Sequence, residues 1–262
     1  MWTYKHKQFQ VHQLPTLSDN YIYLVEDYHS SHVLVVDPAL AGDVKQACET
    51  LHLKPTHILN THHHWDHTDG NEELVQRYQC KVIANQADAS RIRGISQPIA
   101  AEGTFNIGNL TIQTFDLPGH TLGHIAFLID DALFCGDTLF GGGCGRLFEG
   151  SFEQMWQSLQ KLAALPDEIR FYCAHEYTLP NLRFAKAVDS GNEILKQRIK
   201  RDTQTRMQQQ PTIPSTIGLE KQTNPFLRPL SQDFIQTYNQ ENKLNLDALQ
   251  VFTHLRERKN TW

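Results

Sequence analysis

Several broad classes of protein are excluded by what this sequence lacks. Its 262 residues contain only five cysteines, at 48, 80, 135, 144 and 173, scattered and without a C-x-x-C pair. An odd, dispersed set suits a reducing compartment better than a disulfide framework. No apolar run approaches the roughly 18 to 20 residues of a membrane span. Residues 1–7, M-W-T-Y-K-H-K, have no apolar core of the kind a secretory signal needs. Basic charge is not in excess either: a net charge of −5 argues against nucleic acid or an anionic membrane surface as partner. Low-complexity segments and long repeats are missing. What remains is an ordinary globular composition, 40% hydrophobic and 20% charged, long enough for one large domain or two smaller ones. A cytoplasmic protein, monomeric rather than assembled, is the expectation.

Histidine is the residue in surplus, with fourteen in the chain. Four of them and an aspartate fall within seven residues, T-H-H-H-W-D-H at 61–67. The preceding segment, 56–60, reads as a short apolar strand. The following one, 71–78, reads as a helix with acidic residues in its first turn and Asp69 or Asn71 as cap. The cluster therefore lies on a strand-to-helix connection, where α/β proteins place their chemistry. In an extended segment side chains alternate, so His62 and His64 project to one side and His63 and Trp65 to the other. His63 is accordingly left out of the donor set.

Further strands are expected at 20–25, 32–36, 80–84, 110–115, 125–129, 132–135 and 169–173, with helices at 43–52 and 152–164. After about 176 the composition shifts. Residues 181–210 have helical spacing, proline-punctuated loops follow, and 246–259 closes the chain as a helix. The reading is an α/β body, 1–175, followed by a smaller, mainly helical domain, 176–262. Three of the later strands end in a candidate ligand: His120, Asp137 and His175. Asp37 ends its strand in the same way. It is either a carboxylate that holds a ligand imidazole or a turn former before Pro38. His124 receives no ligand role.

His62, His64, Asp66, His67, His120, Asp137 and His175 are too many donors for one ion that must also bind water. Two ions about 3.5–4 Å apart account for all seven. A carboxylate has two oxygens to share where a neutral imidazole has one lone pair, so Asp137 is the natural bridge. His62, His64 and His120 then serve one ion, and Asp66, His67 and His175 the other. Imidazole and carboxylate without thiolate suit Zn²⁺, Fe or Mn²⁺ in a catalytic setting. A water held by two cations loses its proton near neutral pH, so the residues point to hydrolysis of an acyl or phosphoryl centre, with Asp66 placed to orient the hydroxide.

The wording of several segments is also familiar. T-L-S-D-N-Y-I-Y-L from Thr16, T-H-H-H-W-D-H, G-D-T-L-F-G-G-G-C-G-R-L-F-E-G from Gly136, C-A-H-E-Y-T from Cys173, N-P-F-L-R from Asn224 and R-E-R-K from Arg256 together resemble the hydroxyacylglutathione hydrolase (glyoxalase II) family of the metallo-β-lactamase superfamily. The resemblance spans nearly the whole chain. It implies an αββα sandwich with a helical C-terminal domain, and two divalent metal ions, zinc foremost. The reaction it implies is hydrolysis of S-D-lactoylglutathione to D-lactate and glutathione, the second step of methylglyoxal detoxification. By position, Arg256 and Lys259 match the basic pair that grips the glycine carboxylate of glutathione, and Tyr177 a tyrosine that contacts its backbone. Arg146 and Phe148 stand where some relatives have Lys and Tyr. The charge is kept, the hydroxyl is lost, and Phe148 is expected only to line the pocket. Two alternatives stand beside this: a glutathione-persulfide dioxygenase, with one iron and fewer ligands, and a metal-binding protein without catalysis.

Overall fold

Strand-forming residues dominate the first 36 positions, and the chain begins as an antiparallel meander. The computed structural model describes residues 1–262, and they fall into two units. The first unit comprises 1–116 and 123–136. It opens with β1 (Trp2–Lys5), β2 (Phe9–Thr16), β3 (Asn20–Asp27) and β4 (Val33–Val36). Then come α1 (Ala41–Leu51), β5 (His57–Leu59), α2 (Trp65–Thr68), α3 (Asn71–Tyr78), β6 (Lys81–Asn85) and β7 (Ile95–Ile99). The seven strands form one sheet in sequence order. Pairing is antiparallel up to β4 and parallel from β4 to β7. The parallel register stacks Val35, Ile58 and Val82 side by side. With Ile22 and Leu24 they pack against Val44 and Cys48 of α1 and Leu74 of α3, all buried. An antiparallel run, β8 (Gly103–Ile107), β9 (Leu110–Asp116), β10 (Ile125–Ile129) and β11 (Ala132–Gly136), completes this unit.

The second unit, 117–122 and 137–262, is mainly helical. A two-residue turn at Gly141-Gly142 joins β12 (Leu139–Phe140) to β13 (Gly143–Cys144), and Gly142 supplies a positive φ of 63° at the second turn position, where a type II turn favours glycine. Helix α4 (Phe152–Ala163) starts in a capping box, Ser151 with Gln154, and α9 (Ala248–Asn260) in a second, Asp247 with Gln250. Between them lie β14 (Arg170–Cys173), α5 (Thr178–Val188), α6 (Glu193–Met207), β15 (Ser215–Thr216), α7 (Ile217–Thr223) and α8 (Gln232–Asn242). Trp156 of α4 meets Phe252 of α9 with ring centroids 5.4 Å apart.

The differences from the sequence expectations have local causes. The stretch 181–210 is two helices, because Asp189-Ser-Gly-Asn192 halts α5 and the Asn192 side chain caps α6 by accepting from the Leu195 N–H. Neither Asp69 nor Asn71 caps α3. The N-cap is Gly70, with no side-chain cap, and its N–H donates to the Pro38 carbonyl at 2.9 Å. A Cβ there would lie 2.7 Å from that carbonyl oxygen, so close backbone approach decides the residue. β1, β2, β7 and β8 carry weaker patterns and go unforeseen. All five cysteines are free and buried, and no helix is long and apolar enough to cross a membrane.

Ile58 is fully buried in the strand that leads to the histidine loop. Ile58→Ala should therefore cost about 2–5 kcal/mol. It should be read as a lower urea midpoint at unchanged slope.

Candidate functional site

The histidine loop is held from behind by polar groups that the strand pattern alone does not reveal. After β5 the backbone leaves the sheet. The chain bends at residues 61 and 62, His64 is again extended, and α2 begins at Trp65. His62 Nε2 and His64 Nδ1 lie 3.0 Å apart, on one side of the segment. The Thr61 N–H and hydroxyl donate to the two carboxylate oxygens of Asp37 at 2.8 and 2.7 Å. The Asn60 amide holds the His67 carbonyl at 2.8 Å, and Asn71 holds Asn60. Gly136, at φ 48°, must be glycine, because a Cβ would collide with the Thr61 hydroxyl and the His124 ring.

These partners also fix the imidazole tautomers. A carboxylate only accepts, so His67 Nδ1, 3.0 Å from Asp37 Oδ2, carries the hydrogen and Nε2 carries the lone pair. The same holds for His120, whose Nδ1 donates to the Arg146 carbonyl at 2.8 Å. The Thr61 hydroxyl hydrogen is already given to Asp37, so His62 Nδ1 donates to that oxygen at 3.0 Å. Three rings thus present Nε2 as a donor atom for a cation, oriented by backbone and carboxylate partners in the manner of metal-binding histidines.

Asp66 sits in the first turn of α2, with Oδ2 accepting from the Asn20 amide at 3.0 Å. His63 turns toward Asp88, its Nδ1 3.5 Å from Oδ2. His124 is buried and stacks on His62 at 4.8 Å. In the second unit, Asp137 lies with Oδ2 3.4 Å from His120 Nε2 and Oδ1 3.4 Å from His175 Nε2. One carboxylate faces two imidazoles with a different oxygen, as a bridge requires.

The first unit thus offers His62, His64, Asp66 and His67 from one loop and its short helix, and the second offers His120, Asp137 and His175. Imidazole and carboxylate of this kind, with fixed Nε2 lone pairs and a two-faced Asp137, fit a dinuclear metal site of the metallo-beta-lactamase fold.

His120 and Asp137 also line a cavity of about 370 Å³, together with Arg146, Phe148, Tyr177 and, from α9, Arg256 and Lys259. Every residue matched to substrate binding in the sequence therefore reaches one hollow. A larger hollow of 540 Å³ around Asp189, Arg228 and Tyr238 contains none of the donors. Tyr177 stacks on His175 at 4.7 Å, and Phe148, 64% exposed, lies edge-on to His120 at 5.1 Å. Arg256 is buried. Its Nη1 donates to the Cys144 carbonyl and its Nη2 to Asn260, both at 3.1 Å, while Nε makes no hydrogen bond. Lys259 lies over the Phe184 ring at 5.2 Å. Burial, then repulsion from Arg256, Arg183 and Arg146, lowers the Lys259 pKa to about 8. Sequence reasoning missed Phe140, Cys144 and Asn181 as lining residues, Arg183 as a charged neighbour, and Asn20 as the partner of Asp66. Asn20 stands in a quoted motif, but its strand position hid the side-chain role. Arg183 was one cation among many in a helical stretch.

Residues 15–175 match the metallo-beta-lactamase superfamily, and 176–262 match the hydroxyacylglutathione hydrolase C-terminus. Among similar proteins, the hydroxyacylglutathione hydrolase of Rhodospirillum rubrum is 46% identical over 252 residues, spanning 95% of this chain and 97% of the relative. Among solved structures, ETHE1 from Myxococcus xanthus aligns with a TM-score of 0.64 at 25% identity, over 96% of this chain and 98% of that one. TTHA1623 in a di-iron-bound form aligns with a TM-score of 0.58 at 26% identity, over 83% and 99%. Fold and donor clusters together define a metallo-β-lactamase superfamily protein, with the αββα sandwich and helical C-terminal region expected from the sequence. Within that superfamily the chain belongs to the hydroxyacylglutathione hydrolase family.

A lysine whose folded pKa is about 8 against an ordinary 10.5 binds fewer protons than the unfolded chain between those values. The cost of its buried charge is fully present below pH 8 and is relieved as pH rises toward 10.5. Lys259→Met should thus raise the urea midpoint at pH 7 and lose that advantage by pH 10. Equal gains at both pH values would contradict the lowered pKa.

Proposed function

We propose that this chain hydrolyses S-D-lactoylglutathione, and S-2-hydroxyacylglutathiones generally, to the 2-hydroxy acid and glutathione, the second step of methylglyoxal detoxification. The observation that carries this reading is the single cavity with His120 and Asp137 on its wall and Arg256 and Lys259 beside them. Family membership at 46% identity over nearly the full length supports it. In this reading His62, His64 and His120 would hold one divalent ion and Asp66, His67 and His175 the other, with Asp137 across both. Zinc is the first candidate, and iron and manganese suit the same donors. Bound, the pair supplies Lewis acidity and a water acidic enough to be a nucleophile at neutral pH.

The chain's own residues do the rest. Arg256 and Lys259, both on the cavity wall, hold the glycine carboxylate of the thiol carrier as neighbouring positive charges. Tyr177, fixed against His175, presents its phenol to the peptide backbone. Arg146 adds positive charge and Phe148 a hydrophobic wall. Asp66, steadied by Asn20, orients the attacking water. The leaving group is a thiolate, stable enough to depart without a dedicated protein acid. The segment 1–175 is then the hydrolase part and 176–262 the part that grips substrate, a division supported by the two family matches. Five buried free thiols suit the cytoplasm, and a monomer remains our reading of the assembly.

Loss of thioester absorbance with S-D-lactoylglutathione tests the reaction. Metal-loaded enzyme should turn it over, chelation should abolish turnover, and Asp137→Asn should lower kcat at least about 100-fold. Undiminished turnover after complete chelation would sink the proposal, whereas one iron per chain with oxygen uptake would favour the dioxygenase.

Arg256 contributes binding common to ground and transition states. Arg256→Ala should accordingly raise KM about tenfold or more and change kcat by less than about threefold. A fall in kcat alone would contradict that role.

A further inference from the structure

Two buried polar residues at the end of α7 have no part in the reaction described above, yet they grip the wall of its cavity. Glu220 is fully buried and accepts four hydrogen bonds: from the Gly142 N–H at 2.8 Å, Ser215 Oγ at 2.8 Å, Asn224 Nδ2 at 3.1 Å and Arg198 Nη2 at 2.6 Å. Asn224, also fully buried, turns the same amide to the carbonyls of Gly143 at 2.9 Å and Phe140 at 3.3 Å. The two ends of the β12–β13 turn are thus held from one side, its N–H by Glu220 and its carbonyls by Asn224. From the opposite side the Asn181 amide donates to the Gly141 carbonyl at 3.1 Å. The glycines leave no slack: a Cβ at Gly141 would collide with Thr178, and one at Gly143 with Asn181.

A buried carboxylate is costly unless paired. Here Arg198 pairs with it, and although burial works against the guanidinium charge, Glu220 and Asp202 more than offset this. Such a network inside a helical unit would be an expensive way to gain stability alone. Its output is the geometry of the turn. The turn carries Phe140 and Cys144, both cavity-lining, and runs on to Arg146. The Cys144 carbonyl is the acceptor that holds Arg256 Nη1 at 3.1 Å.

We propose that Glu220 and Asn224 are positioning residues for substrate recognition: through the 141–143 turn they set the Cys144 carbonyl, and through it the guanidinium of Arg256. This rests on the reading of Arg256 and Lys259 as the carboxylate grip. The clamp acts on recognition of the carrier's carboxylate, not on attack at the acyl carbon, so its effect belongs in KM and only for substrates that carry that carboxylate.

The test compares S-D-lactoylglutathione with its glycine-amide analogue on wild-type, Asn224→Ala and Glu220→Gln enzymes of equal metal content. Wild type should prefer the acid through KM. Asn224→Ala should raise KM for the acid about tenfold and for the amide no more than about twofold, with kcat little changed. Glu220→Gln keeps an oxygen for Gly142 but cannot satisfy Arg198 and Asn224 as before, so the acid preference should narrow by about threefold. Equal losses on both substrates, or a preference unchanged in the variants, overturns the clamp while leaving the grip intact. Should Asn224→Ala fail to fold, Glu220→Gln decides in the same terms. A wild type that treats acid and amide alike overturns the grip itself, and this inference with it.

Discussion

The carboxylate of Asp37 is the constraint on which the histidine loop depends. It receives the backbone N–H and hydroxyl of Thr61 and the Nδ1–H of His67, three donors from a segment that leaves the sheet immediately before them. To be there, Asp37 adopts a left-handed backbone at φ 50°, a conformation that costs a non-glycine residue of order 1 kcal/mol or more. That strain is tolerable because the neighbouring strands are fully buried and paired on both sides. A parallel β4–β5 pair delivers Asp37 and Thr61 from adjacent strand ends, so the sheet register itself sets the contact. The same carboxylate that stops the loop from drifting also forces the proton of His67 onto Nδ1. Position and protonation state are thus decided together.

Polar burial recurs as the organising device elsewhere in the chain. Asp37, Asn60, Glu220 and Asn224 are all nearly or wholly inaccessible, and each is tied to backbone groups of a loop, a one-turn helix or a tight hairpin. Irregular backbone in the interior must find hydrogen-bond partners somewhere. Side-chain amides and carboxylates supply them and so hold these segments in place. Glycines at 70, 136 and 141–143 answer the same need from the other direction, removing a Cβ where the backbone meets another backbone or a packed side chain.

Charge is distributed against the average. In a chain with net charge −5, Lys259 has its pKa lowered first by burial and then by the nearby Arg256, Arg183 and Arg146. Repulsion of this kind is an unfavourable term in the isolated chain, and a bound anion relieves it. The aromatic rings of Phe226 and Phe184 under Arg256 and Lys259 reduce the cost of holding these cations in place.

Much of the chemistry was legible in the linear order of residues. T-H-H-H-W-D-H, followed by single donors at strand ends, names seven candidate donors, because metal chemistry needs particular atoms and few residue types carry them. The strands with dense β-branched runs were legible for the same reason. The edge and hairpin strands β1, β2, β7 and β8 were not, since their pairing depends on neighbours that the local pattern does not contain. Periodicity likewise placed His62 and His64 on one face, and the fold keeps the two rings 3.0 Å apart on a loop anchored by Asp37. By itself, then, the sequence determined which atoms can do the work and the order in which the chain supplies them. Only the tertiary structure decided which ring nitrogen bears each lone pair, which turn is clamped by Glu220 and Asn224, and how far Lys259 is pushed from its ordinary pKa. Those outcomes are set by hydrogen-bond partners and burial, which come from residues remote along the chain.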